Sequence, residues 1–135
     1  MPEFSNELYW LTLTAIFTGL MWLPYILWLI GKLGLVPALM DGEHDITYDA
    51  AWAARSRRAH ANAVENLVIF GVLAIAVHVS GTASALTATA GAVFFFSRLA
   101  HYAVYVAGLP VIRTVLFAVG VGCQIVLALS VLGLL

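Results

Sequence analysis

The chain has 135 residues, 63 % of them hydrophobic, with a mean hydropathy of +1.00 and a formal net charge of −1. A soluble domain carries roughly 25 % charged residues against 10 % here, which excludes an ordinary soluble globular domain. No basic tract stands outside Arg55–Arg58, so nucleic acid is not an expected partner, and the single Cys123 gives one chain no disulfide framework.

The charges are clustered. None falls between Leu8 and Gly31, none between Asn66 and Ser97, and none after Arg113. A bilayer crossing needs about 20 apolar residues, so these stretches predict an integral membrane protein. The opening "MPEFSNE" is acidic and the apolar run behind it is long, which argues against a cleaved signal peptide. The first span is expected over Leu8–Leu33, with Pro24 kinking rather than ending it. Asp41, Glu43, Asp45 and Asp49 then read as a solvated acidic loop, Asp49 being the expected N-cap of a helix running into the second span, Asn62–Val79. "HVSGTAS" (His78–Ser84) is expected to turn tightly before the third span, Ala83–Val106. "AGLP" (Ala107–Pro110) separates that span from the fourth, Thr114–Leu135. The expected fold is all-α: an integral membrane four-helix bundle in a single domain over 1–135.

With four spans, the termini and middle loop share one side of the membrane, and the first and third loops share the other. Lys32, Arg55, Arg57 and Arg58 surround the first loop, while Arg98 and Arg113 lie near the third. The positive-inside rule therefore places those two loops in the cytoplasm and both termini on the opposite side. It also brings the start of span two and the end of span three to one membrane face.

Two polar stripes meet there. Arg55, Arg58, Asn62 and Glu65 follow i, i+3, i+7, i+10, and Arg98, His101 and Tyr105 follow i, i+3, i+7. Each spacing makes one helical face. Charges at membrane depth survive by pairing or by lining a wet cavity. A Glu65–Arg98 ion pair with Asn62 bonding across helices would explain part of the cluster as structural. The remaining groups (Arg58, His101, Tyr105 and Arg113) suit a small zwitterionic peptide, whose carboxylates Arg side chains grip and whose ammonium Glu65 accepts. Glutathione is such a molecule, though these residues alone do not single it out. His78, the four tryptophans and Cys123 read as interfacial or packing groups, and Phe94–Phe96 as facing lipid or a neighbouring helix.

"RRAHANAVENLVIF" (Arg57–Phe70) resembles a signature of the MAPEG family, the membrane-associated proteins of eicosanoid and glutathione metabolism. The family pattern Arg-Ala-His-x-Asn-x-x-Glu-Asn is matched by Arg58, Ala59, His60, Asn62, Glu65 and Asn66. A second pattern, Arg-x-x-His-x-x-x-Tyr, is matched by Arg98, His101 and Tyr105, and a downstream Arg plus hydroxyl residue by Arg113 and Thr114. Ala61 stands where the prostaglandin-synthase branch has Arg, and Ala63 where both main branches have Asp.

This resemblance implies a homotrimer that takes glutathione as co-substrate between subunits near the cytoplasmic side, with a lipophilic small molecule as second substrate and membrane lipids as its surroundings. Arg58, Asn62, Glu65, His101, Tyr105 and Arg113 would contact the tripeptide, with Lys32 as a further carboxylate partner. Arg113 and Thr114 would be catalytic, stabilising the thiolate. The implied activity is a glutathione transferase, with peroxidase action on lipid hydroperoxides as a second activity, in a bacterial inner membrane. No metal is expected. A non-catalytic glutathione- or lipid-binding scaffold and a small transporter subunit stand as alternatives.

Overall fold

The computed structural model describes residues 3–40 and 48–135. Among these described residues six helices run in the order α1 (Asn6–Leu20), α2 (Trp22–Leu33), α3 (Leu35–Met40), α4 (Ala51–Ser80), α5 (Ala85–Ala107) and α6 (Pro110–Val131). Among the described residues, four helical stretches are long and apolar enough to cross a bilayer: Asn6–Leu33, Ala51–Ser80, Ala85–Ala107 and Pro110–Val131. The chain is an integral, multi-pass membrane protein of all-helical architecture. Asp41, Glu43 and Asp45, the expected acidic loop, lie outside the described residues.

The first span breaks at Met21, between α1 and α2. Pro24 sits in the first turn of α2, where its missing N–H and its ring bar a helical bond back to Leu20. The short α3 follows Gly34 and has no counterpart among the sequence expectations. Asp49 is not the cap of the next helix. Ala50 holds that position without a side-chain bond, and the Asp49 carboxylate pairs with Lys32 instead.

Both expected turns are present. α4 ends on Gly81 at φ +72°, whose N–H donates to the His78 and Val77 carbonyls. Ser84 and Thr87 then form a reciprocal capping box that starts α5. Gly108, at φ +81°, closes α5, and Pro110 opens α6.

Two contacts fix which ends lie together. At one face, Glu7 in the first turn of α1 is 1 % exposed and accepts from Thr87 Oγ1 at 2.5 Å. Two helix N-termini converge on that carboxyl group, a setting whose partial positive charge favours it. At the other face, Arg55 Nε donates to the Val106 carbonyl at 2.8 Å, tying the start of α4 to the end of α5. The guanidinium lies across Gly108, where an added Cβ would meet Arg55 Cζ at 3.3 Å.

The interior divides into two zones along the bundle axis. Phe70, Ala74, Val77, Ala90, Phe94, Cys123 and Leu127 form the apolar core. Phe70 and Phe94 stack within it at 3.9 Å between ring centroids. Phe96, by contrast, is exposed, so the three consecutive phenylalanines divide between core and lipid-facing surface. On the Arg55 side of the stacked rings the interior becomes polar, with Asn66, Ser97, Arg98, His101 and Gln124 all buried.

Candidate functional site

The inward face of α4 is the stripe Ala53, Ser56, Ala59, Ala63, Asn66, Phe70, Ala74 and Val77. Small residues fill its N-terminal half and let neighbouring backbones approach closely. That choice turns Arg58 and Glu65 outward, and both are exposed. Two members of the expected stripe therefore do not face α5. Burying an unpaired charge costs several kcal/mol, and the helix avoids this by burying the offset, uncharged stripe.

Asn62 lies at the border of that inward face and meets Arg98. The Arg98 guanidinium donates from Nη2 to Asn62 Oδ1 at 2.6 Å. Arg98 is only 3 % exposed, and its Nε and Nη1 have no hydrogen-bond partner among the described residues. The expected Glu65–Arg98 ion pair is not formed within the chain, because the outward turn of Glu65 removes its carboxylate from the guanidinium. Ser56 and Tyr102 add a second α4–α5 link through a 2.8 Å hydrogen bond between their hydroxyls.

Asn62, His101, Tyr105, Arg113, Thr114 and Phe117 line one hollow of about 280 Å³. Four elements of sequence logic place them. Asn62 is carried to the edge of α4 by the small-residue stripe. His101 and Tyr105, one turn apart on α5, pack their rings at 5.6 Å. The Gly108 turn swings α6 back beside α5, which sets the Arg113 guanidinium 4.5 Å from the Tyr105 ring centre. Arg113 and Thr114 belong to the first turns of α6, and Thr114 Oγ1 donates to the Pro110 carbonyl at 2.9 Å. A cation at a helix N-terminus reinforces the positive end of the dipole. An anion is the species such a place attracts.

The other expected contact residues lie elsewhere. Lys32 pairs with Asp49 and sits 5.2 Å from the Trp28 ring centre, beside a separate open hollow. Arg58 and Glu65 do not line the 280 Å³ hollow. His60 points toward α2, where a 2.8 Å hydrogen bond joins its Nδ1 to Tyr25 Oη.

Phe117 and Gln124 were not singled out from the sequence, and Asn66 was named there only as a match to the family pattern, with no role. Phe117 closes one wall of the hollow, one helical turn beyond Arg113. Asn66 Nδ2 donates to the Asn62 carbonyl at 2.9 Å, and Gln124 Nε2 donates to the Asn66 carbonyl at 3.3 Å. Gln124 is the one amide side chain in span four, and a buried amide in an otherwise apolar run was the available signal.

The model of the MAPEG family matches residues 8–133, nearly the whole chain. No curated protein and no solved structure matches.

Proposed function

The chain belongs to the MAPEG family, and on that footing we propose that it is a membrane-bound glutathione transferase, with peroxidase action on lipid hydroperoxides as a second activity. One observation carries the reading. Asn62, His101, Tyr105 and Arg113, drawn from motifs far apart in the chain, border a single hollow beside a helix N-terminus.

The tripeptide suits that hollow by charge. Arg113 and the α6 N-terminus favour an anion on one wall, and Arg98 lends positive charge from behind Asn62 on another. A thiol with an ordinary pKa of about 8.5 is only a few per cent ionised near neutral pH. Lowering that pKa by about two units takes roughly 2.7 kcal/mol of preference for the anion. One guanidinium at about 4 Å supplies about 4 kcal/mol at an effective dielectric near 20, before desolvation. Arg113 alone is sufficient in principle. Thr114 has its proton committed to Pro110, so it would orient the first turn of α6 rather than donate to sulfur. The bilayer concentrates a lipophilic electrophile or peroxide beside the thiolate, and proximity provides much of the remaining rate.

The assembly proposed is a homotrimer with the site between subunits. A volume of about 280 Å³ falls just short of the roughly 300–1,000 Å³ typical of small-molecule sites. Glu65, exposed among Val64, Val68 and Ile69 on the outward face of α4, would find its polar company in a neighbouring copy or in the ligand's ammonium. Arg58 and Lys32 would join from the headgroup side. The orientation proposed puts Arg55, Arg113 and this site at the cytoplasmic face.

Purified protein given glutathione and a chlorinated nitroaromatic should consume thiol above the uncatalysed rate. Glutathione binding without consumption would favour the scaffold, and flux through liposomes without binding would favour the transporter.

A further inference from the structure

Four side chains behind the hollow form a directional chain in which every amide orientation is forced. Gln124 points its NH2 at Asn66, because the backbone carbonyl it meets at 3.3 Å can only accept. Asn66 points its own NH2 at Asn62 for the same reason, meeting the Asn62 carbonyl at 2.9 Å and Oδ1 at 3.4 Å. Arg98 has no acceptor, so the Asn62 atom 2.6 Å from its Nη2 must be oxygen. Asn62 Oδ1 is thus held inward by two donors. Its Nδ2 has no partner among the described residues and is not sealed from solvent, while Asn62 itself lines the hollow.

We propose that Arg98, Asn66 and Gln124 are positioning residues that lock the Asn62 amide with its oxygen inward and its NH2 facing the hollow, so that this wall selects an acceptor-only anionic group, a carboxylate of the tripeptide. The inference rests on the glutathione reading for the identity of the ligand, but the lock itself does not. A free asparagine presents donor or acceptor with equal ease. A locked one presents a donor only, and it discriminates against a ligand amide that would bring its own NH2 to the same place.

The test has a ligand-free arm and a ligand arm, both on the full chain in lipid nanodiscs. Gln124→Met removes the far donor and leaves an apolar side chain in an apolar span, and Asn66→Leu interrupts the chain nearer the hollow. In the first arm, the side-chain amide protons of Asn62 are followed by nitrogen-15 NMR. The native protein should give one sharp pair, and both variants, still folded by their backbone spectra, should broaden or split it. An unchanged Asn62 pair in both folded variants overturns the lock. In the second arm, Kd is measured for glutathione and for its two mono-carboxamides. The native protein should disfavour one carboxamide by about tenfold, the two variants should lose most of that preference, and Asn62→Asp should reverse it. Equal affinity of the native protein for all three overturns the selection. A native protein that ignores glutathione while its variants lose the sharp Asn62 pair sinks the glutathione reading and supports the lock.

Discussion

Arg98 on α5 reaches Asn62 on α4 at 2.6 Å, while the remaining two nitrogens of the same guanidinium are buried without partners among the described residues. The pair joins a charge the bundle must hold to an amide that borders the hollow. A buried charge with one hydrogen bond is a poor investment for stability alone. Its retention fits an electrostatic task at the adjoining wall.

Arg98→Met should therefore separate stability from binding. Replacing an under-compensated buried charge by an apolar side chain of similar length should hold stability or raise it by about 1 kcal/mol. Glutathione affinity should fall by about tenfold or more, because the Asn62 amide loses both its lock and its positive backing. Thermal unfolding and calorimetric titration of the same preparation check both halves.

Arg113→Ala should lower turnover far more than it weakens glutathione binding. The guanidinium sits against Tyr105 at the first turn of α6, where a thiolate would gain most from it. Loss of about 2.7 kcal/mol of thiolate preference would return the thiol pKa from about 6.5 to about 8.5, which leaves about 25-fold less thiolate at neutral pH. A steady-state kcat together with an ultraviolet thiolate band in the bound complex measures it. Unchanged turnover and band would remove Arg113 from the reaction.

Thr87→Val should act at the other end of the bundle. It deletes the hydroxyl that donates to the buried Glu7 carboxyl group at 2.5 Å. The expected cost is about 1.5–3 kcal/mol of stability, seen as a lower Tm. Glutathione affinity should not change, since the hollow lies at the opposite ends of α4 and α5.

Gly108→Ala should loosen the turn that places Arg113. At φ +81° a side chain is strained by roughly 1–2 kcal/mol, and the new Cβ would press on the Arg55 guanidinium 3.3 Å away. Both a lower Tm and a slower turnover are expected, the second because α6 carries Arg113 and Thr114.

Much of this arrangement was legible in the residues. Gly81 with Ser84, and Gly108 with Pro110, are local chemistry, and each turn formed where its own residues require it. The meeting of Asn62 with His101 and Tyr105 followed from helical spacing plus the clustering of basic residues at two loops. What spacing could not decide was which of two adjacent stripes on α4 faces inward. Arg58, Asn62 and Glu65 share a face by period, yet Ala59, Ala63 and Asn66 share one equally well. Close approach of small side chains and the cost of burying charge settled it for the second, and the expected Glu65–Arg98 pair was lost with the first. Gln124 was overlooked, and Asn66 was given no role beyond its place in the family pattern, because their contact spans 58 residues and neither carries a charge that marks it in the sequence. Lys32 and Asp49 met for a similar long-range reason, leaving the α4 cap to Ala50.

The most direct check is calorimetric titration of glutathione into the nanodisc-embedded protein, run in parallel on Asn62→Ala and Tyr105→Leu. The expected result is saturable binding to the native chain, weakened by about tenfold or more in each variant. Native binding that both variants leave intact, or no binding to any of the three, would contradict a tripeptide site in the hollow between Asn62, His101, Tyr105 and Arg113.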